Sequence, residues 1–226
     1  MSKIYAHRGA SAELPENTLP AFARAIELGA FGIELDVHLT RDGIPVVIHD
    51  ETVDRTTDGA GALADLDAVD VAGLDAGQGA PVPTLDDVLN LVGDRMHVDI
   101  EVKAAAAADA VLLAASRQPA LRFAVSSFDL DVLRHLRRQS LEIELWPLTV
   151  GAADAVLDTA AALGVPCIAM HDAFVNREIV DYLRSRGLGA WVWTVNDARR
   201  AADLEAMGVV GICTDDPAQL LRSTGG

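Results

Sequence analysis

A chain of 226 residues, half of them hydrophobic, is long enough to bury a substantial core and too apolar to be disordered. Its formal net charge of −16 argues against binding to nucleic acid or an anionic membrane, since both need a basic surface. Charges interrupt the apolar runs well before membrane-spanning length, and the opening MSKIYAHRGA lacks a long apolar signal core, so a cytoplasmic protein without a membrane span is expected.

In chain order, strands are predicted to begin near Ile4, Phe31, Met96, Arg122, Glu142, Pro166, Ala190 and Val209. Helix signals fall between them. Thr18 can cap a helix containing Phe22 and Ile26 that ends at Gly29. Thr84 and Asp87 have capping-box spacing ahead of Val88, Leu89 and Val92. Asp129, Asn176 and Asp197 each precede a helical apolar pattern. Cys167 and Cys213 lie in separate strand-like runs without metal-ligand spacing and are expected to be buried, reduced thiols. Strands alternating with helices imply an α/β fold with a parallel sheet, and eight units suggest closure into a (β/α)8 TIM barrel. A doubly wound open sheet is the alternative, but no GxGxxG follows the first strand. Residues 51–83 break the rhythm and are expected to form a small insert, with weak helical pieces such as Leu66–Leu74 and no core of its own.

Barrel enzymes place their chemistry where strands end and loops begin. Here those ends read His7-Arg8-Gly9, Glu34 and Asp36, Asp99-Ile100-Glu101-Val102-Lys103, Ser126-Ser127-Phe128, His171-Asp172, Trp193-Thr194-Val195-Asn196 and Thr214-Asp215-Asp216. Ionisable groups collect there, while the strand starts are apolar.

The stretch Phe31–Asp50 has the densest chemistry. Strand alternation points Glu34 and Asp36 the same way. Arg41-Asp42-Gly43 signals a turn into a second run that ends at His49-Asp50. A hairpin with Thr40 opposite Pro45 would set His49 opposite Asp36. The alternative leaves both carboxylates on the wet face of an edge strand, with His49 a polar strand end. The clustering of ionisable groups at the other strand ends favours the chemical reading. Glu34, Asp36 and Glu101 then offer three hard oxygen ligands, a set that suits Mg²⁺ or Ca²⁺ better than zinc. With a divalent ion, Arg8 and Lys103, the three carboxylates sum formally to one positive charge, which matches a phosphodiester monoanion. His7 and His49 supply an acid–base pair.

At these residues the chain resembles the glycerophosphodiester phosphodiesterase family. The resemblance runs in order through His7-Arg8-Gly9, Glu16-Asn17-Thr18, Glu34-Leu35-Asp36-Val37, Arg41-Asp42-Gly43, His49-Asp50, Asp54-Arg55-Thr56-Thr57, Glu101-Val102-Lys103, Ser127-Phe128, Trp193-Thr194-Val195-Asn196 and Thr214-Asp215. It implies one (β/α)8 domain over residues 1–226 with residues 51–83 as the insert after the hairpin. It implies metal-dependent hydrolysis of glycerophosphodiesters to glycerol 3-phosphate and an alcohol. The substrate's own hydroxyl would attack phosphorus, and water would then open the cyclic phosphate. His7 and His49 match the family's acid–base pair, and Glu34, Asp36 and Glu101 match its Mg²⁺ or Ca²⁺ ligands. Arg8 and Lys103 would hold phosphate oxygens, with Trp193 and Glu16 contacting the glycerol.

Other residues are read more plainly. His171 is weighted toward a structural role, and His38 is expected to face away from Glu34 and Asp36 while strand alternation persists. His97 and His135 are surface or packing residues. Asp99 is expected to lie deeper in the barrel, hydrogen-bonded. Two other functions keep the same site: cleavage of lysophospholipids, which needs an apolar rim that the 4% aromatic content and the charge argue against, and catalytically silent binding of a phosphate ligand. The sequence leaves oligomeric state open, a homo-oligomer included.

Overall fold

The computed structural model describes residues 2–151 and 154–224. Its strands are β1 (Lys3–His7), β2 (Gly32–Leu39), β3 (Pro45–Val47), β4 (His97–Val102), β5 (Arg122–Ser127), β6 (Glu144–Thr149), β7 (Cys167–His171), β8 (Gly189–Trp193) and β9 (Gly211–Thr214). Helices α1 (Leu19–Leu28), α2 (Ala68–Val71), α3 (Leu85–Val92), α4 (Ala108–Ser116), α5 (Leu130–Gln139), α6 (Asp154–Leu163), α7 (Arg177–Ser185), α8 (Ala198–Met207) and α9 (Pro217–Thr224) fall between and after them. The sheet runs β1-β9-β8-β7-β6-β5-β4-β2, and a β1–β2 pairing closes it. All eight of these strands are parallel, so the chain is a (β/α)8 TIM barrel. β3 lies outside the ring, antiparallel to β2.

Strand alternation sorts the side chains. On β2, Ile33, Leu35 and Val37 point outward to the helices while Glu34 and Asp36 point to the axis; on β4, Val98, Ile100 and Val102 do the same against His97, Asp99 and Glu101. The outward residues join Phe22, Leu89, Leu133 and Leu136 of the helices in the main core. The lower axis is filled differently, by Tyr5, Trp146 and Trp191 with ring centroids 5.3–5.7 Å apart. This plug dictates two glycines. A Cβ at Gly32 would lie 2.5 Å from Tyr5, and one at Gly211 would lie 2.3 Å from Trp191.

The predicted caps form. Thr18 Oγ1 accepts from Ala21, Gly29 closes α1 at φ 76°, and Thr84 with Asp87 makes the reciprocal capping box of α3. Asn176 and Asp197 accept from Ile179 and Arg200. Helix α9, for which no cap was read, is capped by Asp216, whose Oδ1 accepts from the Gln219 amide, whereas α4 is alanine-rich and no side chain caps it.

Two expectations need correction. The hairpin register is one residue off, since Pro45 pairs with Leu39 and Val47 with Val37. The loop is the three residues Arg41-Asp42-Gly43, closed by Thr40 and Ile44, with Gly43 at φ 79° and Thr40 Oγ1 accepting from the Ile44 amide. Ile48 therefore opposes Asp36 and donates to its carbonyl. Residues 51–83 also have a small apolar cluster of their own. Val53, Leu63, Val71, Ala76 and Val82 pack on Val46 and Ile48 of the hairpin. Their spacing follows no helix or strand period because the segment is mostly turns, with one short 3₁₀ turn (Leu63–Asp65) and α2.

Candidate active site

Glu34, Asp36 and Glu101 come together at the upper end of the barrel. Each offers an oxygen within 4.8 Å of the others, and all three residues are buried. The strand register causes this, because β2 and β4 pair Asp36 with Glu101. Two cations reach them. Lys103 Nζ lies 2.9 Å from Asp36 Oδ1 and 2.7 Å from Glu101 Oε1, and Arg8 Nε lies 3.2 Å from Asp36 Oδ2. Asn17 Nδ2 donates to Asp36 Oδ2 at 2.8 Å, and the Arg8 amide donates to Glu34 Oε2 at 3.1 Å. Both donors sit on the loop after β1 in left-handed backbone, Arg8 at φ 56° and Asn17 at φ 58°.

Burial raises the pKa of all three carboxyls, and neighbouring charge then separates them. Lys103 and Arg8 overcome burial at Asp36 and pull it down to about 2. Glu34 stays well above the usual range, pushed up by burial and then by Asp36 and Glu101. Glu101 is raised by burial and by Asp36. Two cations thus leave three carboxylates under-neutralised. Asp36 Oδ1, though beside Lys103, makes no hydrogen bond of good geometry. A hard divalent cation fits this oxygen-only set.

Two histidines flank the carboxylates, since β2 lies between β1, which ends at His7, and β3, which precedes His49. Their ring environments match. His7 Nδ1 is 2.6 Å from Asp215 Oδ1, and His49 Nδ1 is 2.6 Å from Asp50 Oδ1. Burial would raise Asp215, but hydrogen bonds from His7 and Asn196 bring it down to about 2. Arg55 and then His49 hold Asp50 far below the ordinary range despite partial burial. Ionised carboxylates can only accept, so each imidazole donates from Nδ1 and keeps Nε2 clear of that carboxylate. His7 Nε2 lies 3.9 Å from Glu34 Oε2.

Arg55 ties the second histidine to the loop after β1. It bonds both oxygens of Asp50 and both of Glu16, and Glu16 Oε1 also accepts from Arg8 at 2.9 Å. His38 shares the parity of Glu34 and Asp36, so it lies on their face rather than the opposite one. Its Nε2 is 3.0 Å from the His49 carbonyl, which steadies the chain where β3 ends. The misassigned register therefore does not remove His49 from the site.

An inner cavity of about 150 Å³ is lined by His7, Arg8, Glu34, His49, Glu101 and Lys103 above and by Asp99, Ser126 and Trp191 below. An outer polar cleft of about 580 Å³ shares His7 and Arg8 with it and opens past Glu16, Ser11 and Asn196. Trp193 stands on the wall between Phe128 and His171, edge-to-face with each. Phe128, Val150 and Phe174 are about half exposed on that rim, so the mouth is more apolar than the composition suggested. Of the residues given plainer readings, His171 Nδ1 caps a turn through Ala173, and His135 bonds Asp109 on the surface. His97 is buried in the aromatic plug beside Tyr5. Asp99 lies deeper, as expected, but without the expected hydrogen bonds. Asn17, Asp50, Arg55 and Asp215 were not singled out as site residues, although the quoted motifs contain all four.

A closed parallel barrel with buried acidic groups and two carboxylate-oriented histidines at its C-terminal mouth defines a metal-assisted hydrolase of phosphate esters. Comparison with known proteins narrows the class. Residues 7–219 match the glycerophosphoryl diester phosphodiesterase family, and the chain belongs to it. A glycerophosphodiester phosphodiesterase of Caldanaerobacter subterraneus is 38% identical over 97% of this chain and 96% of its own. An Oleispira antarctica phosphodiesterase, solved in complex with the product sn-glycerol-3-phosphate, superposes at a TM-score of 0.95 with 26% identity, covering 100% of this chain and 98% of its own. The Thermotoga maritima glycerophosphodiester phosphodiesterase is 30% identical at a TM-score of 0.86, over 98% of both chains.

Proposed function

We propose that the enzyme cleaves glycerophosphodiesters to glycerol 3-phosphate and an alcohol through a cyclic phosphate, with His7 and His49 exchanging acid and base roles. The observation that carries this reading is the pair of histidine–aspartate contacts, one on each side of Glu34 and Asp36. Each Nε2 is suited to move a proton. One histidine starts with Nε2 bare and takes the proton of the glycerol 2-hydroxyl, and the other starts protonated on Nε2 and gives that proton to the departing alcohol. Opening of the cyclic phosphate by water reverses both transfers. Arg8 and Lys103 hold phosphate oxygens and offset the negative charge that builds on them. Glu34, Asp36 and Glu101 would hold Mg²⁺ or Ca²⁺, which when bound polarises the phosphoryl group. Trp193 and Glu16, at the cavity wall and the cleft, are the contacts assigned to glycerol. The chain works as one domain with residues 51–83 as its insert, and the two buried, unpaired cysteines suit a reducing cytoplasm.

The test is release of glycerol 3-phosphate from a glycerophosphodiester, abolished by EDTA and restored by Mg²⁺ or Ca²⁺. His7→Ala and His49→Ala, metal-loaded, should each lose about 10²–10⁴-fold in kcat. Near-wild-type turnover in either would remove that histidine from the reaction.

A further inference from the structure

The motif Asp54-Arg55-Thr56-Thr57 of the insert has no part in the proposed reaction, yet its arginine makes four hydrogen bonds to two carboxylates beside the site. Arg55 Nε and Nη2 donate to Asp50 at 2.6 and 3.0 Å, and Nη1 and Nη2 donate to Glu16 at 3.1 and 2.8 Å. The Asp50 end answers a geometric need. His49 and Asp50 are adjacent in the chain, where side chains ordinarily diverge. Asp50 nevertheless bends back so that its Oδ1 lies 2.6 Å from His49 Nδ1, and Arg55 holds both of its oxygens in that position. Asp215 is fixed against His7 by Asn196 and Ser11, from the barrel itself. Asp50, beyond the end of β3, is fixed from the insert.

At its other end the guanidinium reaches the loop after β1. Glu16 Oε1 accepts from Arg55 and from Arg8 together, and Arg8 Nε lies 3.2 Å from Asp36 Oδ2. An unbroken series of charge-assisted contacts therefore runs from His49 through Asp50, Arg55 and Glu16 to Arg8. The insert meets the same loop a second time at the preceding residue, where a Cβ on Gly77 would lie 2.9 Å from Pro15 Cγ. Contacts at two successive residues, Pro15 and Glu16, fasten the insert to the loop that carries Arg8.

We infer that Arg55 is a positioning residue of the reaction: its planar fork sets Asp50 against His49 and Glu16 against Arg8 at once, which makes the insert a working part of the active site. This rests on the phosphodiesterase reading above, in which His49 moves a proton and Arg8 holds phosphate. Arg55 touches no reacting atom, since each of its effects passes through a carboxylate. A lysine ammonium would carry the charge but, as a point donor, would not hold two carboxylates in fixed planes. Without the fork Asp50 is free to turn from His49, and the ring loses its fixed orientation. A misplacement of about 1 Å costs on the order of 10²-fold in rate. Arg8 keeps its contact with Asp36, so substrate binding suffers less.

The test is steady-state release of glycerol 3-phosphate by metal-loaded Arg55→Ala and Arg55→Lys, with metal affinity and Tm measured beside it. Both variants should lose about 10–10²-fold in kcat, while KM rises no more than about fivefold and metal affinity stays within about threefold of wild type. Asp50→Asn combined with Arg55→Ala should be within about threefold of Asp50→Asn alone, because the two act on the same histidine. Arg41→Ala serves as the control. It removes a two-pronged exposed ion pair between the hairpin loop and Asp67 of the insert, and should keep kcat within about twofold. More than about a third of wild-type kcat in Arg55→Lys would reduce Arg55 to a charge and overturn the inference. Losses that multiply in the double variant, or that follow weaker metal binding, overturn it as well. A loss in Arg41→Ala as large as in Arg55→Ala, the outcome for an insert that only stabilises the fold, does the same. Absence of glycerol 3-phosphate release by the wild type would sink the phosphodiesterase reading and the inference together, whereas activity lost in His49→Ala but kept in Arg55→Ala would sink the inference alone.

Discussion

Replacing Asp215 with asparagine tests how the first histidine is prepared. The 2.6 Å contact forces His7 to carry its proton on Nδ1, because the ionised Asp215 has nothing to donate. Asn196 Nδ2 and Ser11 Oγ also donate to this carboxylate, at 2.6 and 3.2 Å, so it cannot swing away from the ring. An asparagine amide turned toward Nδ1 would make that nitrogen an acceptor and drive the proton to Nε2, where it blocks the base. General acid–base catalysis is worth about 10²–10⁴-fold, or about 3–5 kcal/mol, and Asp215→Asn should lose most of it from kcat while KM stays within a few-fold. Asp50→Asn should match it at the other histidine. The assay is steady-state release of glycerol 3-phosphate across pH in saturating metal, with metal affinity measured beside it. If Asp215→Asn keeps more than a third of wild-type kcat, or loses activity only through weaker metal binding, the tautomer argument is wrong.

His97 links the aromatic plug to acid stability. Burial, then Lys3 and Arg122, hold its pKa down at about 4 against an ordinary 6.5. The unfolded chain therefore takes up a proton that the folded chain refuses, and stability falls as pH drops from 6.5 to 4, by about 1.4 kcal/mol per pH unit and about 3 kcal/mol in all. Urea midpoints for His97→Gln should show that part of the slope gone, and an unchanged slope would contradict the assignment. Metal should raise Tm as well: at a hundred times its Kd, about 2.7 kcal/mol, or roughly 5–10 °C for a chain of this size. Differential scanning calorimetry of Glu101→Gln at that concentration should show the shift largely lost, whereas a full shift would place the ion elsewhere.

The barrel was legible because its two periods are clean. Ile33, Leu35 and Val37 against Glu34 and Asp36 can only be a strand with helices on one side and chemistry on the other. The carboxylate cluster followed from the same alternation plus the parallel register of β2 and β4. What escaped was decided by backbone detail that side-chain pattern does not encode. A three-residue loop and a four-residue loop around Arg41-Asp42-Gly43 have nearly the same composition, yet they differ by one residue of register. Asp215 reaches His7 from 208 positions away because β9 and β1 are neighbours in the closed ring, and Asn17 reaches Asp36 only through a left-handed turn. His49 and Asp50 are adjacent in sequence and would diverge on a strand; they pair because β3 has already ended.

The edge-to-face and tilted rings of Tyr5, Trp146 and Trp191 close the chamber from below and leave the upper mouth as its doorway. In the proposed cyclic-phosphate route, the released alcohol would leave by the route that the second reactant, water, uses to arrive. Any small alcohol waiting outside competes with water for that vacated position, and its success would regenerate a diester. Headgroup exchange is thus the side reaction that the proposed route predicts for a blind-ended barrel, and its extent would be set by how quickly the first alcohol clears the threshold.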